Sequence, residues 1–409
     1  MRLLKLAGPG LIVAATGIGS GDVVATTVAG ANYGVVLLWA ILVGAFFKYV
    51  LTEGIARWQL ATGTTALEGW ATHLPPWVNY YFGIYLLLWT VAVTAALTNA
   101  TGLGLANLTG GAISQGWGAV LHSLFGCAFV LTGGYAGFEK LMKFLVAVMA
   151  SAILLCALLT FSEPAAALKG LLLPTVPAGA GMYVLALIGG IGGSITLLSY
   201  SYWMQEEQLT KPEQLGYVRQ DVGLAYTFTA LFGVAIALIA NQTFFVPGRI
   251  LSDGQAVAGM AAMLGEVLGP FGLWAYSIGF WAAVFASLLG VWQSVPYLYA
   301  DCYGIIRKLS PAARHAATRV TSTPYRLALL FVTLVPLPFA FLGRPIMIII
   351  TYTVVGSLFV PFLAATLLYL NNLPWTSTVP RNGWAANILL GVILAVFLAI
   401  GIREILNLF

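Results

Sequence analysis

The sequence predicts an all-α integral membrane protein with about eleven transmembrane helices. Of its 409 residues, 60% are hydrophobic and only 8% are charged, and the mean hydropathy is +0.94. A soluble domain carries about 25% charged residues. The few charges leave long uncharged windows, and a membrane-spanning helix needs ~20 mostly apolar residues in a row. We therefore expect one transmembrane domain over residues 1–409, embedded in a lipid bilayer.

The candidate spans are the apolar windows that lie between charged and turn-forming residues. Short connectors such as 32–34 join neighbouring spans, and no polar linker is long enough to separate a soluble domain. The predicted spans cover residues 8–32, 34–61, 77–106, 115–134, 138–162, 180–205, 215–243, 269–304, 325–343, 345–371 and 383–407.

The orientation of the chain is predicted from its 18 Lys and Arg residues. If the N-terminus is cytoplasmic, thirteen of them fall on the cytoplasmic side and four outside, with Lys48 left within a span. This positive-inside bias predicts a multi-pass protein of the plasma or inner membrane, with a cytoplasmic N-terminus and an external C-terminus. The same bias accounts for the net charge of +5, so nucleic acid is not an expected partner.

Glycine clusters interrupt the first and sixth predicted spans, at residues 17–22 and 189–194. Each glycine weakens a helix by about 1 kcal/mol relative to alanine, and non-helical backbone at membrane depth is tolerated only inside protein or beside a cavity. The two spans open successive five-helix blocks, 8–162 and 180–371, and 383–407 is an extra helix. Interrupted helices in corresponding positions predict a transporter's substrate site. The alternative is that these glycines only allow close helix packing.

Three ionisable residues, Asp22, Lys48 and Glu53, lie deep within predicted spans, where charge is expensive and usually functional. Asp22 follows the first glycine cluster, where it could bind a cation or cap the second half of the helix. Glu53 and Arg57 have the i,i+4 spacing of a self-neutralising, structural pair. Lys48 needs a partner, and Asp22 and Glu53 are the candidates.

No residue pattern indicates an enzyme, a resident cofactor or an obligate protein partner. The sequence has no nucleophile elbow, phosphate-binding loop or dinucleotide fingerprint. Its few cysteines have no metal-ligand spacing and are interpreted as buried small hydrophobes, and its histidines are scattered. These residues are Cys127, Cys156 and Cys302, and His73, His122 and His315.

Short motifs that frame the helices resemble those of a known family. They are 8–15 (GPGLIVAA), Ala25-Thr26, Ala29-Gly30, Ala61-Thr62-Gly63, Val354-Val355, Ser357-Leu358 and Pro361-Phe362. In order and spacing they resemble the Nramp family of proton-coupled divalent metal transporters, over nearly the whole chain. The resemblance implies the 5+5 inverted-repeat fold of the leucine transporter, with helices 1 and 6 broken at the substrate.

The metal-site motifs of that family are replaced in this chain. Nramp transporters carry Asp-Pro-Gly-Asn in helix one and Met-Pro-His in helix six, where this chain has 20–23 (SGDV) and 193–195 (GSI). Without the soft methionine sulfur, transport of Mg²⁺ or Mn²⁺ is more plausible than transport of Fe²⁺. The ion would be the substrate of proton-coupled alternating access. The predicted metal ligands are Asp22, Ser20 and Ser194, and the predicted charge network consists of Asp22, Lys48, Glu53 and Arg57. Thr353 stands in place of a family glutamine. The full set of predicted substrate-binding residues is Gly19, Ser20, Asp22, Gly190, Gly193, Ser194, Thr196 and Thr353.

Two other interpretations stay open. The segment 19–21 is similar to the Gly-Ser-Gly of amino-acid/polyamine/organocation transporters, in which backbone N–H groups at a broken helix bind a carboxylate. Lys48 would assist such a substrate, whereas Asp22 would repel it. The third possibility is a sensor that kept the fold and lost transport.

Overall fold

The computed structural model describes residues 8–248, 253–342, 348, 352 and 355–406, and the regular structure in them is helical throughout. Short 3₁₀ helices, Gly34–Leu37, Ile195–Leu198, Pro212–Gln214 and Leu337–Phe341, connect some of the α-helices. The α-helices are α1 Pro9–Gly17, α2 Ser20–Tyr33, α3 Leu38–Thr62, α4 Ala66–His73, α5 Trp77–Leu108, α6 Gln115–Thr160, α7 Pro164–Leu172, α8 Gly181–Gly190, α9 Ser199–Glu206, α10 Leu215–Phe244, α11 Asp253–Leu268, α12 Pro270–Ile306, α13 Pro311–Ala317, α14 Thr323–Leu334, α15 Phe359–Leu370 and α16 Trp384–Leu406.

Within the described residues, 7 helical stretches are long and apolar enough to cross a membrane. This number is lower than the eleven predicted spans because several spans run into one another. The stretch Ser20–Thr62 joins α2 to α3, and α6 contains predicted spans four and five. Val355–Leu370 and Trp384–Ala399 are apolar but shorter, and most of the first half of predicted span ten lies outside the described residues. The all-helical membrane fold is confirmed, whereas the repeat boundaries stay a prediction.

Predicted spans four and five meet at a corner without a loop. All of α6 is helical except Gly134, which has φ 60° and ψ 174°. A residue with a side chain rarely adopts this conformation, so glycine permits the chain to turn here within one residue.

Four short helices in the connections, α4, α7, α11 and α13, were not predicted. Their lengths are below what a span requires, so a search for membrane spans does not find them. One of them, α4, has a sequence signal for its start. Thr65 and Glu68 form a capping box there, in which Thr65 N donates to Glu68 Oε2 at 2.9 Å. This spacing of Thr and Glu is a known sequence mark of a helix start.

The centre of the molecule is α12, which is buried over most of its length. It packs against α5, α6 and α1. Its Ser287 donates a hydrogen bond to the carbonyl of Thr16 at 2.6 Å, in the last turn of α1. A Cβ on Gly290 would overlap the Thr16 side chain, so this side chain of α1 packs directly against the backbone of α12. The end of α1 is therefore held by the core of the protein.

The start of α1 is held by a carboxylate of α10. Asp221 accepts hydrogen bonds from Gly8 N at 3.1 Å, from Gly10 N at 2.6 Å and from the Tyr200 hydroxyl of α9 at 2.9 Å. The first N–H groups of a helix have no partner within the helix, and its N-terminus favours negative charge. Asp221 satisfies both requirements from a different span.

Replacing Asp221 with alanine is expected to destabilise the protein by about 3 kcal/mol, because buried donors lose a charged acceptor and such hydrogen bonds are worth ~1.5–3 kcal/mol each. The measurement is the thermal unfolding of purified protein in detergent. Glu213→Ala is the matched control, since Glu213 is an exposed acid close to the start of the same helix. Equal unfolding temperatures for the two variants would contradict the role given to Asp221.

Candidate functional site

The interruptions of spans one and six face each other. Break one comprises Ile18 and Gly19, between α1 and α2, and break two is the segment 191–194, after α8. A Cβ added to Gly17 would lie 2.8 Å from Gly193 N and closer still to the backbone carbonyl of Gly192. The two breaks are thus in backbone contact, and helices 1 and 6 are broken as predicted.

Asp22 connects the two breaks. It lies in the first turn of α2, is 9% exposed, and its Oδ2 accepts a hydrogen bond from Gly192 N at 2.8 Å. Gly192 has φ +80°, so its N–H is freed from helical bonding. The N-cap residue of α2 is Gly19, so the interpretation of Asp22 as the N-cap is wrong. The carboxylate is stabilised by the N-terminus of α2 and by a charge-assisted bond to break two.

Lys48 of α3 reaches break two from the other side. Its Nζ donates to the carbonyl of Gly189 at 2.7 Å and to that of Gly193 at 2.5 Å, and the residue is fully buried. Lys48 has no ion pair within 4.0 Å with either Asp22 or Glu53. The predicted pairing with a carboxylate is therefore not a direct contact: the hydrogen-bond partners of Lys48 are backbone carbonyls freed by the second glycine cluster, and Asp22 is the carboxylate near enough to interact with its charge.

Two buried hydroxyls at the breaks have no hydrogen-bond partner among the described residues. They are Ser20 Oγ, at the start of α2, and Thr196 Oγ1, which contacts Gly193. The hydroxyl of Ser194, in break two, accepts a hydrogen bond from Trp89 Nε1 at 3.0 Å. Because buried polar groups are nearly always bonded in native proteins, these two hydroxyls are available as ligands for water or an ion.

A cavity of about 10 Å³ lies between the breaks, lined by Gly21, Asp22, Gly190, Ser194, Tyr352 and Gly356. This space is near the minimum that holds one water. Tyr352 and Trp89 meet edge to face beside it, with ring centroids 6.3 Å apart. The site is therefore closed around a volume suited to a single small ion or water.

The predicted site residues do not all fall in one place. Glu53 lies five residues beyond Lys48 on α3, or ~7.5 Å along the helix axis. It pairs with Arg57 at 2.8 Å and Arg219 at 2.9 Å. This pairing supports the structural interpretation of Glu53 and Arg57, which stand apart from the breaks. Thr353 lies outside the described residues.

Sequence reasoning missed Asp221 as a functional candidate. It lies within predicted span seven, so the search for ionisable residues in spans that singled out Asp22 would have found it. Two of its three hydrogen bonds hold the start of α1, the helix that ends at break one, and the third binds the Tyr200 hydroxyl of α9.

The described part of the chain holds no group of three or more His, Cys, Asp or Glu side chains able to bind a metal ion. An ion at the breaks would therefore take one carboxylate, that of Asp22, together with hydroxyl, carbonyl or water oxygens. Such an all-oxygen set suits hard cations.

These features define an integral membrane protein of the leucine-transporter fold, with its first and sixth spans broken side by side. A sequence profile described as "Natural resistance-associated macrophage protein-like" (Nramp) matches residues 10–407. The chain therefore belongs to the Nramp family, as its helix-framing motifs predicted.

Two curated relatives are bacterial proteins named "Divalent metal cation transporter MntH". The one from Chromohalobacter salexigens is 27% identical over 314 residues, covering 69% of this chain and 68% of the relative. The one from Klebsiella pneumoniae is 26% identical over 296 residues, covering 70% and 71%.

Solved structures support the fold. The Eremococcus coleocola manganese transporter in complex with an aromatic bis-isothiourea substituted compound has a TM-score of 0.68 at 16% identity, covering 97% of this chain and 85% of that one. MhsT in complex with L-phenylalanine has a TM-score of 0.61 at 15% identity and covers 98% of both chains. At these identities the likeness concerns the fold alone.

Proposed function

We propose that this protein is a secondary-active transporter of a divalent metal cation, Mg²⁺ or Mn²⁺ rather than Fe²⁺, that works by alternating access. One observation carries the proposal: a buried carboxylate, Asp22, bridges the two breaks beside the unpartnered hydroxyls of Ser20 and Thr196. The names of the curated relatives, divalent metal cation transporters, support the same substrate class.

The preference for Mg²⁺ and Mn²⁺ follows from the chemistry of the donors. The segment 189–196 contains no Met or Cys, and Asp22 and the neighbouring hydroxyls are hard oxygen ligands. Hard cations favour carboxylate, carbonyl and water oxygens, whereas sulfur ligands favour softer transition metals. The small cavity between the breaks fits a single ion better than an organic molecule.

The proposal includes proton coupling and a cytoplasmic N-terminus. Both carboxylate oxygens of Glu53 are engaged by arginines, so Asp22 is the better candidate for the coupled proton. The positive-inside bias supports the orientation.

Removing the charge of Asp22 is expected to abolish ion uptake, because Asp22 is the acidic side chain that lines the cavity between the breaks. The measurement is uptake of Mn²⁺ and Mg²⁺ by purified protein in liposomes, with and without an inward proton gradient. Asp22→Asn should fall to the level of protein-free liposomes. Glu163→Gln removes the charge of an exposed acid outside the site and should leave uptake unchanged.

The proposal fails if the native protein moves neither ion, or if Asp22→Asn transports as well as the native protein does. Binding of an ion without uptake would instead indicate a sensor that kept the fold. Fe²⁺ uptake faster than Mn²⁺ uptake would overturn the preference for hard ions.

A zwitterionic or anionic organic substrate is the second candidate function. One observation favours it: Lys48 places an ammonium group at break two, near the N-terminus of α2. Together these two features could neutralise a substrate carboxylate. Uptake of a radiolabelled amino acid that is lost in Lys48→Ala and kept in Asp22→Asn would support this candidate over the metal ion.

A further inference from the structure

Two carbonyl groups at break two, that of Gly189 in the last turn of α8 and that of Gly193 within the break, already bind a cation. Lys48 Nζ donates a hydrogen bond to each of them. The stem of the side chain passes Gly192, since a Cβ built there would lie 3.4 Å from Lys48 Cγ. The residue is fully buried.

Carbonyls of this kind are the natural ligands of a metal ion at a broken helix. The last carbonyls of a helix have no partner within it and carry partial negative charge. Carbonyl oxygens, together with a carboxylate, form a typical site for hard divalent cations. In this structure Asp22 approaches the same segment through Gly192 N, between the two carbonyls that Lys48 uses.

When Asp22 and Lys48 are both ionised, their charges at break two sum to zero before any ion arrives. Asp22 contributes one negative charge and Lys48 one positive charge, and they do not form an ion pair within 4.0 Å. A divalent ion that binds Asp22 would meet the repulsion of the ammonium group, and in a buried setting such repulsion is only weakly screened.

We infer that Lys48 is a specificity-determining residue, a tethered cation that competes with the transported ion for the carbonyls of break two. This inference rests on the proposed function. In the closed state Lys48 satisfies the Gly189 and Gly193 carbonyls. An incoming divalent ion binds Asp22 and must displace the ammonium group to gain these carbonyls as ligands. The competition weakens ion binding, and withdrawal of Lys48 becomes part of the transport cycle.

The test compares Mn²⁺ binding by the purified native protein and by Lys48→Gln, using radioactive Mn²⁺. Glutamine removes the charge and keeps two N–H donors for the carbonyls, so the break remains satisfied. Binding is expected to tighten about tenfold or more, because a nearby like charge is removed. Lys48→Arg keeps the charge and should not tighten binding. Lys169→Gln, at an exposed lysine of α7, is the matched control and should bind as the native protein does.

The outcomes separate this inference from the proposed function. If the native protein binds Mn²⁺ through Asp22 and Lys48→Gln binds equally or more weakly, the inference is wrong and the proposed function stands. If neither folded protein binds Mn²⁺ or Mg²⁺, the proposed function fails. If Lys48→Gln does not fold, Lys48→Met replaces it, and thermal unfolding in the presence of Mn²⁺ reports the same change in affinity through ligand stabilisation.

Discussion

Gly17→Ala is expected to abolish substrate uptake and to destabilise the protein by about 3 kcal/mol or more, as strong overpacking of a buried site does. The added Cβ would overlap the backbone carbonyl of Gly192 and lie 2.8 Å from Gly193 N. The obstructing atoms belong to backbone, so no side-chain rotation relieves the overlap. The two breaks would have to separate, and the bond from Gly192 to Asp22 would be lost with them.

The measurements are thermal unfolding and liposome uptake of the alanine variant. Gly216→Ala is the matched control, because a Cβ there meets nothing within 4 Å in the first turn of α10. Alanine at that position should stabilise the helix by up to about 1 kcal/mol. A Gly17→Ala protein with native stability and uptake would mean that the contact between the breaks is not required.

Glu53→Gln is expected to destabilise the protein by about 3–5 kcal/mol, because removing one partner of a buried ion pair leaves the other charge uncompensated. The Arg57 side chain is only 5% exposed and its Nη2 lies 2.8 Å from Glu53 Oε2. Arg219, the second partner, is 44% exposed and can turn to water. The destabilisation therefore comes mainly from the uncompensated charge of Arg57.

Thermal unfolding measures this effect, and Glu139→Gln is its control. Glu139 and Lys143 have the same i,i+4 spacing, but the lysine side chain is 32% exposed. Such a pair is worth roughly 0–1 kcal/mol. The double variant Glu53→Met, Arg57→Met should recover part of the lost stability, since replacing both charges by apolar groups is often tolerated. Native stability in Glu53→Gln would argue against a structural pair.

Much of the fold was predictable from the sequence because bilayer physics acts on short stretches of chain. The apolar windows predict the positions of the spans, and the two glycine clusters predict the positions of both breaks. Where adjacent spans join without a loop, as at Gly134, the apolar windows predict two spans, but the structure joins them directly within α6. The helix α4 was signalled only by its capping residues.

The site was less predictable because its contacts join distant parts of the chain. Composition identified Asp22 and Lys48 as unusual charges, and the structure brings both to break two. Their partners are backbone groups of Gly189, Gly192 and Gly193, which are 141 to 170 residues away and have no side-chain signature. Pairing rules for charged side chains cannot anticipate a lysine that binds carbonyls. The roles of the substrate-binding residues stay predictions.

The single carboxylate of Asp221 has a consequence for how the protein changes shape. It binds the start of α1 and the Tyr200 hydroxyl near the start of α9, so the first half of broken span one and the half of span six that follows break two are both held by one carboxylate of α10. Drawing α1 away from α10 breaks the bonds to Gly8 and Gly10 together. In the proposed alternating access, movement of α1 away from α10 would thus occur as one cooperative step. The free energy of the hydrogen bonds to Asp221 would set how often the protein opens at this end of α1.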